Sequence, residues 1–272
     1  MINNSDGLNI VIIIQARTSS SRLPDKTLLP ICGKEMLVRM VERVMASDYG
    51  NNVVVATTVS KKDDVIVEIC RREKFKYFRG DENDLLDRHF HAALHYNADV
   101  VVKIPSDCPL IDPTIINKVI NYFIDNFNKY DFVSNLHPQT YPDGNDVEVF
   151  RFDVLETAWR KAKAPFQREH TTPYIWDNPD KFRIGNVEWE TGLNYSMSHR
   201  FTIDYPEDYE FIKAVYDELY NKKKLFSLND ILNLLDEKKE IFELNKKYAG
   251  VNWYRNYIKE LKTVKRSETK II

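Results

Sequence analysis

The first half of the chain alternates short, unbroken apolar runs with longer segments in which apolar residues recur at helical spacing. The runs are too short for helices and rich in β-branched residues, so they predict strands buried on both faces. We predict these strands at 10–14, 52–56, 75–78, 99–104 and 130–134. Amphipathic helices are predicted between them at 33–46, 63–73, 83–97 and 113–126. This alternation predicts an α/β domain with a mainly parallel sheet covered by helices on both faces.

The second half of the chain loses this rhythm. A turn at 141–145 leads into an alternating segment at 146–150. We predict helices at 152–163, 168–176 and 206–220, and two further strands at 182–187 and 199–203. Shorter helical patterns follow at 228–235 and 241–248. Because no low-complexity linker interrupts the chain, we assign residues 1–225 to one domain and residues 226–272 to a helical C-terminal extension packed on it.

Composition narrows the class of protein. A length of 272 residues with 43% hydrophobic content suits one sizeable globular domain. The 39 Lys and Arg residues against 41 Asp and Glu give a formal charge of -2, so no basic excess favours a nucleic-acid partner. No apolar run approaches the roughly 20 residues that span a bilayer, and the segment MINNSDGLN lacks a signal-peptide pattern. We therefore expect a cytoplasmic protein that makes no membrane contact.

A loop rich in cations and hydroxyl groups follows the first predicted strand directly. Its side chains are those of Arg17, Ser19, Ser20, Ser21, Arg22 and Lys26. Ligands bind at the carboxyl ends of strands in open α/β sheets, where hydroxyls donate to phosphate oxygens and cations neutralise them. The chain has 8 glycines and lacks both glycine-rich nucleotide motifs, so this loop is the candidate phosphate site. A solvated basic loop is the alternative interpretation.

Further polar residues fall at predicted strand ends and in the irregular second half. Asp107 and Asp204 each follow a predicted strand and could hold one divalent cation, although each could equally cap a turn or helix. A second group of polar residues lies in the irregular second half and consists of Asp143, Asp146, Glu148, Arg168 and His170. These residues could bind a hydroxyl-rich substrate, and pairing with one another on the surface explains them equally well. His91 and His95 share a helical face without the glutamate of H-E-x-x-H, which favours a solvated face over a zinc site.

Several separated motifs occur in an order that is typical of one family. They are QARTSSSRLPDK, VVVATT, FRGDENDLLDR, PSDCPLID, YPDGNDVEVF, REHTTPYI and TIDYPEDYE. Together they resemble the cytidylyltransferases that activate acidic sugars, most of all the branch named after spore-coat polysaccharide biosynthesis protein F. The chain departs from the family pattern at Pro105-Ser106-Asp107, where T-G-D or Q-G-D is usual. That change keeps the carboxylate and alters the backbone beside it.

The resemblance implies a three-layer α/β/α fold of the nucleotide-diphospho-sugar transferase type, with a mainly parallel mixed sheet. It implies that residues 1–225 are a nucleotidyltransferase domain that uses CTP and a sugar-type acceptor, releases pyrophosphate, serves surface glycan biosynthesis and forms a homodimer. The site residues follow by the same resemblance: Arg22 and Lys26 as catalytic cations, Arg17, Ser19 and Ser20 on the triphosphate, Thr57 and Arg79 near base and ribose, and Asp107 and Asp204 on Mg²⁺.

Two other functions remain open from the residues. A glycosyltransferase of the same fold would use a finished nucleotide-sugar, and we would expect it to carry an Asp-x-Asp motif where this chain has Ser106-Asp107-Cys108. A non-catalytic nucleotide-binding protein would bind without turnover. The residues alone do not identify the acceptor, the acceptor group that attacks the phosphorus, or the base of the nucleotide.

Overall fold

A seven-stranded sheet forms the centre of the computed structural model, which describes residues 7–272. Its strands are β1 (Ile10–Gln15), β2 (Val53–Thr58), β3 (Lys76–Gly80), β4 (Val100–Pro105), β5 (Phe132–Ser134), β6 (Glu148–Arg151) and β7 (Ile184–Asn186). The strand order is β3-β2-β1-β4-β6-β5-β7. Strands β3, β2, β1 and β4 are parallel, whereas β6 runs antiparallel to both β4 and β5. The predicted mainly parallel mixed sheet is therefore confirmed.

Helices cover both faces of this sheet. They are α1 (Met36–Met45), α2 (Asp64–Glu73), α3 (Leu85–His95), α4 (Pro113–Asp125), α5 (Phe152–Lys161), α6 (Pro165–His170), α7 (Pro173–Trp176), α8 (Pro206–Leu219), α9 (Leu228–Glu237) and α10 (Lys239–Glu243). None of the helices in the described part of the chain is long and apolar enough to cross a bilayer.

The side chains of β1 show how one strand serves two cores. Ile10, Ile12 and Ile14 join the apolar cluster formed with α1, α4, α8 and α9. Val11 and Ile13 point the other way, into the cluster formed with α3, α5 and α7. Because side chains alternate across a strand, the unbroken apolar run faces protein on both sides. This arrangement gives the three-layer α/β/α fold.

The structure differs from the predicted elements at two places near the cleft. Two short helices, α6 from Pro165 and α7 from Pro173, replace the single helix predicted at 168–176. The first helix ends because Thr171 has a φ of 70° and Pro173 has no amide hydrogen to continue it. The predicted strand at 199–203 is wrong. Phe201 and Ile203 are buried as the alternation requires, but the segment makes only an isolated bridge, between Asp143 and Arg200.

The last part of the chain packs on both faces of the domain. Phe226, Leu228 and Ile231 join the cluster on the α1 face, and Tyr254 and Leu261 join the cluster on the α3 face. The division at residue 225 stays a prediction. Residues 1–6, which belong to the segment examined for a signal peptide, lie outside the described residues.

Candidate active site

Two adjoining cavities open at the carboxyl ends of β1 and β4. The loop cavity, of about 340 Å³, is lined by the basic, hydroxyl-rich loop after β1. The inner cavity, of about 200 Å³, lies beside it and is lined by carboxylates and aromatic rings. Both cavities share Arg22, Asp107 and Asp204, together with Gln15 and His170. They therefore form one continuous cleft at the edge of the sheet where ligands bind in this class of fold.

The loop after β1 is anchored at its start and open towards the cleft. The backbone N–H and the hydroxyl of Thr18 both donate to Asp63 Oδ1 at 2.8 Å. The Asp25 N–H donates to the Thr18 carbonyl at 3.1 Å, which closes the loop on itself. The predicted phosphate-binding side chains line the loop cavity: Arg17, Ser19, Ser20, Arg22 and Lys26. The structure thus presents the cations and hydroxyls of the loop on one side of the cleft.

Lys26 joins the two predicted metal ligands. Its ammonium group donates to Asp107 Oδ2 at 3.1 Å, to Asp204 Oδ1 at 3.0 Å and to the Ile203 carbonyl at 2.7 Å. Burial disfavours the charged lysine, but Asp107 and Asp204 outweigh that effect and raise its pKa. The two aspartates, which are far apart in the sequence, therefore meet at a single cation, and all three ammonium hydrogens have acceptors.

Asp204 is held ionised by three cations. Burial opposes ionisation, but Lys26, Arg22 and Arg200 together keep the pKa of Asp204 well below its usual range. The Arg22 guanidinium lies 2.7 Å from Asp204 Oδ1, and Arg200 Nη2 lies 3.1 Å from Oδ2. Asp204 therefore carries its negative charge throughout the physiological pH range.

Arg200 is the most highly connected cation in the cleft, and its role was not predicted from the sequence. It donates from Nε to Asp208, from Nη1 to Asp143 and to the Val251 carbonyl, and from Nη2 to Asp204 and Asp208. These five contacts use all five of its N–H donors. With a side chain only 1% exposed, Arg200 fixes three carboxylates and a backbone carbonyl in one arrangement.

The carboxylates of the inner cavity lie in different electrostatic environments. Burial, opposed by Arg200 and reinforced by neighbouring carboxylates, raises the pKa of Asp143. Burial and the charge of Asp107 raise the pKa of Asp146 to about 7. Glu148 instead pairs with Lys103 and accepts from the Thr172 hydroxyl at 2.5 Å. The predicted substrate residues Asp143, Asp146 and Glu148 thus line the same cavity.

An aromatic wall faces these carboxylates. His170 stacks on Trp253 with ring centroids 3.8 Å apart, and His137 stacks on Trp176 at 4.1 Å. Burial lowers the pKa of both histidines to about 3, so they are neutral aromatic rings at physiological pH. Tyr254 completes this wall. His170 was a predicted substrate residue, and it lines both cavities.

Three predicted site residues lie outside the lining of the two cavities. Arg168 donates to Asp84 at 2.8 Å and to the Trp159 carbonyl at 2.7 Å, which ties α6 to the start of α3. Arg79 donates to the carbonyls of Thr58 and Ser60. Thr57 is fully buried in β2, with a hydroxyl that has no hydrogen-bond partner among the described residues. Their assignment to nucleotide or substrate stays a prediction.

The fold and the cleft together indicate the class of protein. A basic, hydroxyl-rich loop at a strand end contacts two carboxylates within one cleft, in an α/β sheet with one antiparallel strand. This combination is typical of nucleotidyltransferases. The chain belongs to the cytidylyltransferase family, whose model matches residues 11–247. It is therefore an enzyme of the nucleotidyltransferase class.

Individual relatives agree with this family. A solved cytidylyltransferase structure from Leptospira borgpetersenii has 35% sequence identity and a TM-score of 0.82, covering 87% of this chain and 97% of that chain. Spore coat polysaccharide biosynthesis protein SpsF of Bacillus subtilis is 31% identical over 84% of this chain and 94% of its own length. An uncharacterized protein of Methanocaldococcus jannaschii is 38% identical over 88% of this chain and 95% of its own length. The predicted family branch is confirmed.

Proposed function

We propose that this enzyme is a magnesium-dependent cytidylyltransferase that condenses CTP with a sugar-type acceptor, releases pyrophosphate and supplies surface glycan biosynthesis. The observation that carries this proposal is the meeting of Arg22, Lys26, Asp107 and Asp204 in one cleft between two cavities. The loop cavity supplies hydroxyls and cations for a triphosphate, and the inner cavity supplies polar groups for a hydroxyl-rich acceptor. The similarity to SpsF supports the link to polysaccharide biosynthesis.

The proposed reaction is an in-line displacement at the α-phosphorus of CTP. An acceptor oxygen forms the new P–O bond, the bond from the α-phosphorus to the oxygen that bridges it to the β-phosphorus breaks, and pyrophosphate leaves with the electron pair. Arg22 and Lys26 would stabilise the negative charge that develops on the bridging and leaving oxygens. Asp146, whose burial and neighbour Asp107 raise its pKa to about 7, is suited to accept the proton of an attacking hydroxyl.

The donors at Asp107 and Asp204 fit a magnesium ion chemically. Mg²⁺ prefers oxygen ligands and is commonly held by one or two carboxylates together with water and substrate phosphates. Among residues 7–272, no group of three or more His, Cys, Asp and Glu side chains is arranged to hold a metal alone, so phosphate oxygens would complete the coordination. Since Lys26 bridges the two carboxylates, it would move towards the phosphates when the ion binds. The bound ion would polarise the phosphate that is attacked.

Pyrophosphate release tests the proposal directly. Purified enzyme is supplied with Mg²⁺, each common nucleoside triphosphate in turn, and a panel of acidic sugars, alditols and sugar phosphates. We expect release with CTP and at least one acceptor. Asp107→Asn should lower the rate about 10²-fold or more, judging from the loss of single transition-state contacts.

A matched control separates this effect from general damage. Asp236 is 81% exposed and, among residues 7–272, pairs only with Lys239, so Asp236→Asn should retain the wild-type rate. Unimpaired turnover by Asp107→Asn would refute the metal assignment. Transfer of a sugar from a nucleotide-sugar without pyrophosphate release would instead identify a glycosyltransferase, and CTP binding without turnover would identify a non-catalytic protein.

A further inference from the structure

One wall of the inner cavity comes from beyond the part of the chain that matches the family. The family match ends at residue 247, whereas the five consecutive residues 251–255 all line this cavity. The phosphate loop and the strand-end aspartates lie within the matched region. The cleft therefore combines a shared catalytic part with a wall from outside the family match. We call residues 251–255 the C-terminal wall.

Hydrogen bonds hold the C-terminal wall in place. Arg200 Nη1 donates to the Val251 carbonyl at 2.7 Å, which ties the wall to the carboxylate network. The Asn252 side chain accepts from the Tyr254 N–H at 3.0 Å and donates to the Glu268 carbonyl at 2.9 Å. The backbone N–H of Lys270 donates to the Gly250 carbonyl at 2.6 Å. The wall is thus a fixed surface of the cleft with its own supporting contacts.

Trp253 gives the C-terminal wall an apolar face. One face of its ring stacks on His170 at 3.8 Å with an interplanar angle of 15°, and its edge meets Trp176 at 6.2 Å. The residue is partly exposed and lines both cavities, so the rest of its ring is open to the cleft. Binding pockets commonly combine such aromatic surfaces with a few placed polar groups. A sugar-like ring has an apolar C–H face and a rim of hydroxyl groups. The aromatic wall and the facing carboxylates match these two parts of such a ring.

Tyr254 brings a hydroxyl group to the lining of the inner cavity. The residue is only 9% exposed, yet its hydroxyl makes no hydrogen bond to any residue between 7 and 272. Burial raises the pKa of this hydroxyl, and the charges of Glu148, Asp146 and Asp143 raise it further. Tyr254 therefore retains its proton as a donor. Because Tyr254 lines the inner cavity, this donor is available to a ligand group bound there.

We propose that the C-terminal wall selects the acceptor: Trp253 covers the apolar face of a hydroxyl-rich ring, and the Tyr254 hydroxyl hydrogen-bonds one of the ring hydroxyls. The proposal rests on the proposed function, because it assigns the acceptor to the inner cavity. It adds the segment that distinguishes one acceptor from another. Loss of the Tyr254 hydroxyl should weaken acceptor binding without affecting the nucleotide.

The test uses Tyr254→Phe, which removes one oxygen and retains the packed ring. Binding of 3-deoxy-manno-octulosonate, N-acetylmannosamine and ribitol to the full-length protein is followed by tryptophan fluorescence, and CTP binding is measured separately by calorimetry. For the tightest-binding sugar, we expect an affinity loss of roughly fivefold to tenfold, the effect of one hydrogen bond. CTP affinity should be unchanged. Where pyrophosphate is released, KM for the acceptor should rise by the same factor.

Two further variants provide a control and a second test. Tyr248→Phe removes a hydroxyl six positions earlier from a residue that stacks on Tyr205 and lines neither cavity, and it should bind sugar like the wild type. Trp253→Ala should lose sugar affinity more strongly than Tyr254→Phe, and Trp253→Phe should recover part of it.

The possible results separate this proposal from the proposed function. Three results would overturn the role of the C-terminal wall. Tyr254→Phe could bind sugar as tightly as the wild type, or it could lose CTP affinity in parallel with sugar affinity. The third is that the wild-type protein binds none of the sugar probes at millimolar concentration. Sugar and CTP binding without pyrophosphate release would overturn the proposed function and leave the binding test of the wall intact.

Discussion

Replacement of Arg200 by methionine should cost more stability than any exposed arginine substitution in this protein. The change keeps most of the side-chain length and removes five N–H donors from a site where the arginine side chain is 1% exposed. Its partner Asp208 is 0% exposed, and Asp143 and Asp204 are 15% and 17% exposed. The variant therefore leaves three largely buried carboxylates without their common counter-ion.

The remaining contacts of these carboxylates set the expected magnitude. Removing one partner of a buried ion pair typically costs about 3–5 kcal/mol. Asp208 still accepts from the N–H groups of Asp204 and Tyr205 at 2.9 and 3.0 Å, and Asp204 still pairs with Lys26 and Arg22. Asp143 can become protonated, since burial already raises its pKa. We therefore expect a loss near the lower limit, about 3 kcal/mol of unfolding free energy.

Urea unfolding followed by circular dichroism measures this loss. Arg160→Met is the control, because Arg160 is 63% exposed and forms an i,i+4 pair with Glu156, a type of contact that contributes roughly 0.5 kcal/mol or less. Arg200→Lys should fall between wild type and Arg200→Met, since lysine restores the charge with fewer, differently placed donors. An unfolding free energy for Arg200→Met within about 1 kcal/mol of wild type would refute the ion-pair reasoning.

Two further predictions concern backbone strain and acid stability. Gly144→Ala should lower the unfolding free energy by about 1–3 kcal/mol, because φ is +102° and a Cβ atom would lie 2.6 Å from the Phe201 carbonyl carbon. Gly192→Ala is the control, since Gly192 has a φ of +75° but an added Cβ atom would meet no clash. Thermal melting should show a smaller loss of stability for Gly192→Ala. Acidification from pH 7 to pH 5 should destabilise the fold, because burial lowers the pKa of His89 to about 3 while the unfolded chain takes up the proton near pH 6.5. The contribution is about 2 kcal/mol at pH 5, so urea midpoints should fall less with pH in His89→Leu than in wild type.

The sequence was sufficient where a local pattern determines structure. The apolar run at 10–14 predicts β1 because a strand between two helical layers needs no polar alternation. The helix predicted at 113–126 begins at Pro113 as α4, and the structure adds that the Asp112 side chain accepts from the Thr114 N–H at 2.8 Å. The position of the basic, hydroxyl-rich loop at the cleft could also be predicted, because it follows β1 directly and the carboxyl end of a central strand is the usual ligand edge.

The sequence was insufficient where a side chain acts through partners that are distant along the chain. Arg200 lies in an alternating segment that predicts a strand, and nothing local indicates that Asp143 and Val251 are its partners. Arg79 belongs to a family-like motif, yet its guanidinium holds the loop after β2 through the carbonyls of Thr58 and Ser60. Trp253 and Tyr254 follow no helical or strand periodicity, so only tertiary packing shows that they line the cleft.

The contacts of Arg200 connect the stability of the fold to the choice of acceptor. The same guanidinium binds Asp208 at the start of α8, Asp204 among the candidate metal ligands and the carbonyl of Val251 in the C-terminal wall. A change that lengthens any one of these contacts must alter the others, because all five donors come from one rigid planar group. Arg200→Lys should therefore shift the acceptor affinity as well as the unfolding free energy. An exposed ion pair of equal strength would leave the acceptor affinity unchanged. Measuring both quantities in one variant therefore shows whether the C-terminal wall and the carboxylates of the cleft are mechanically coupled.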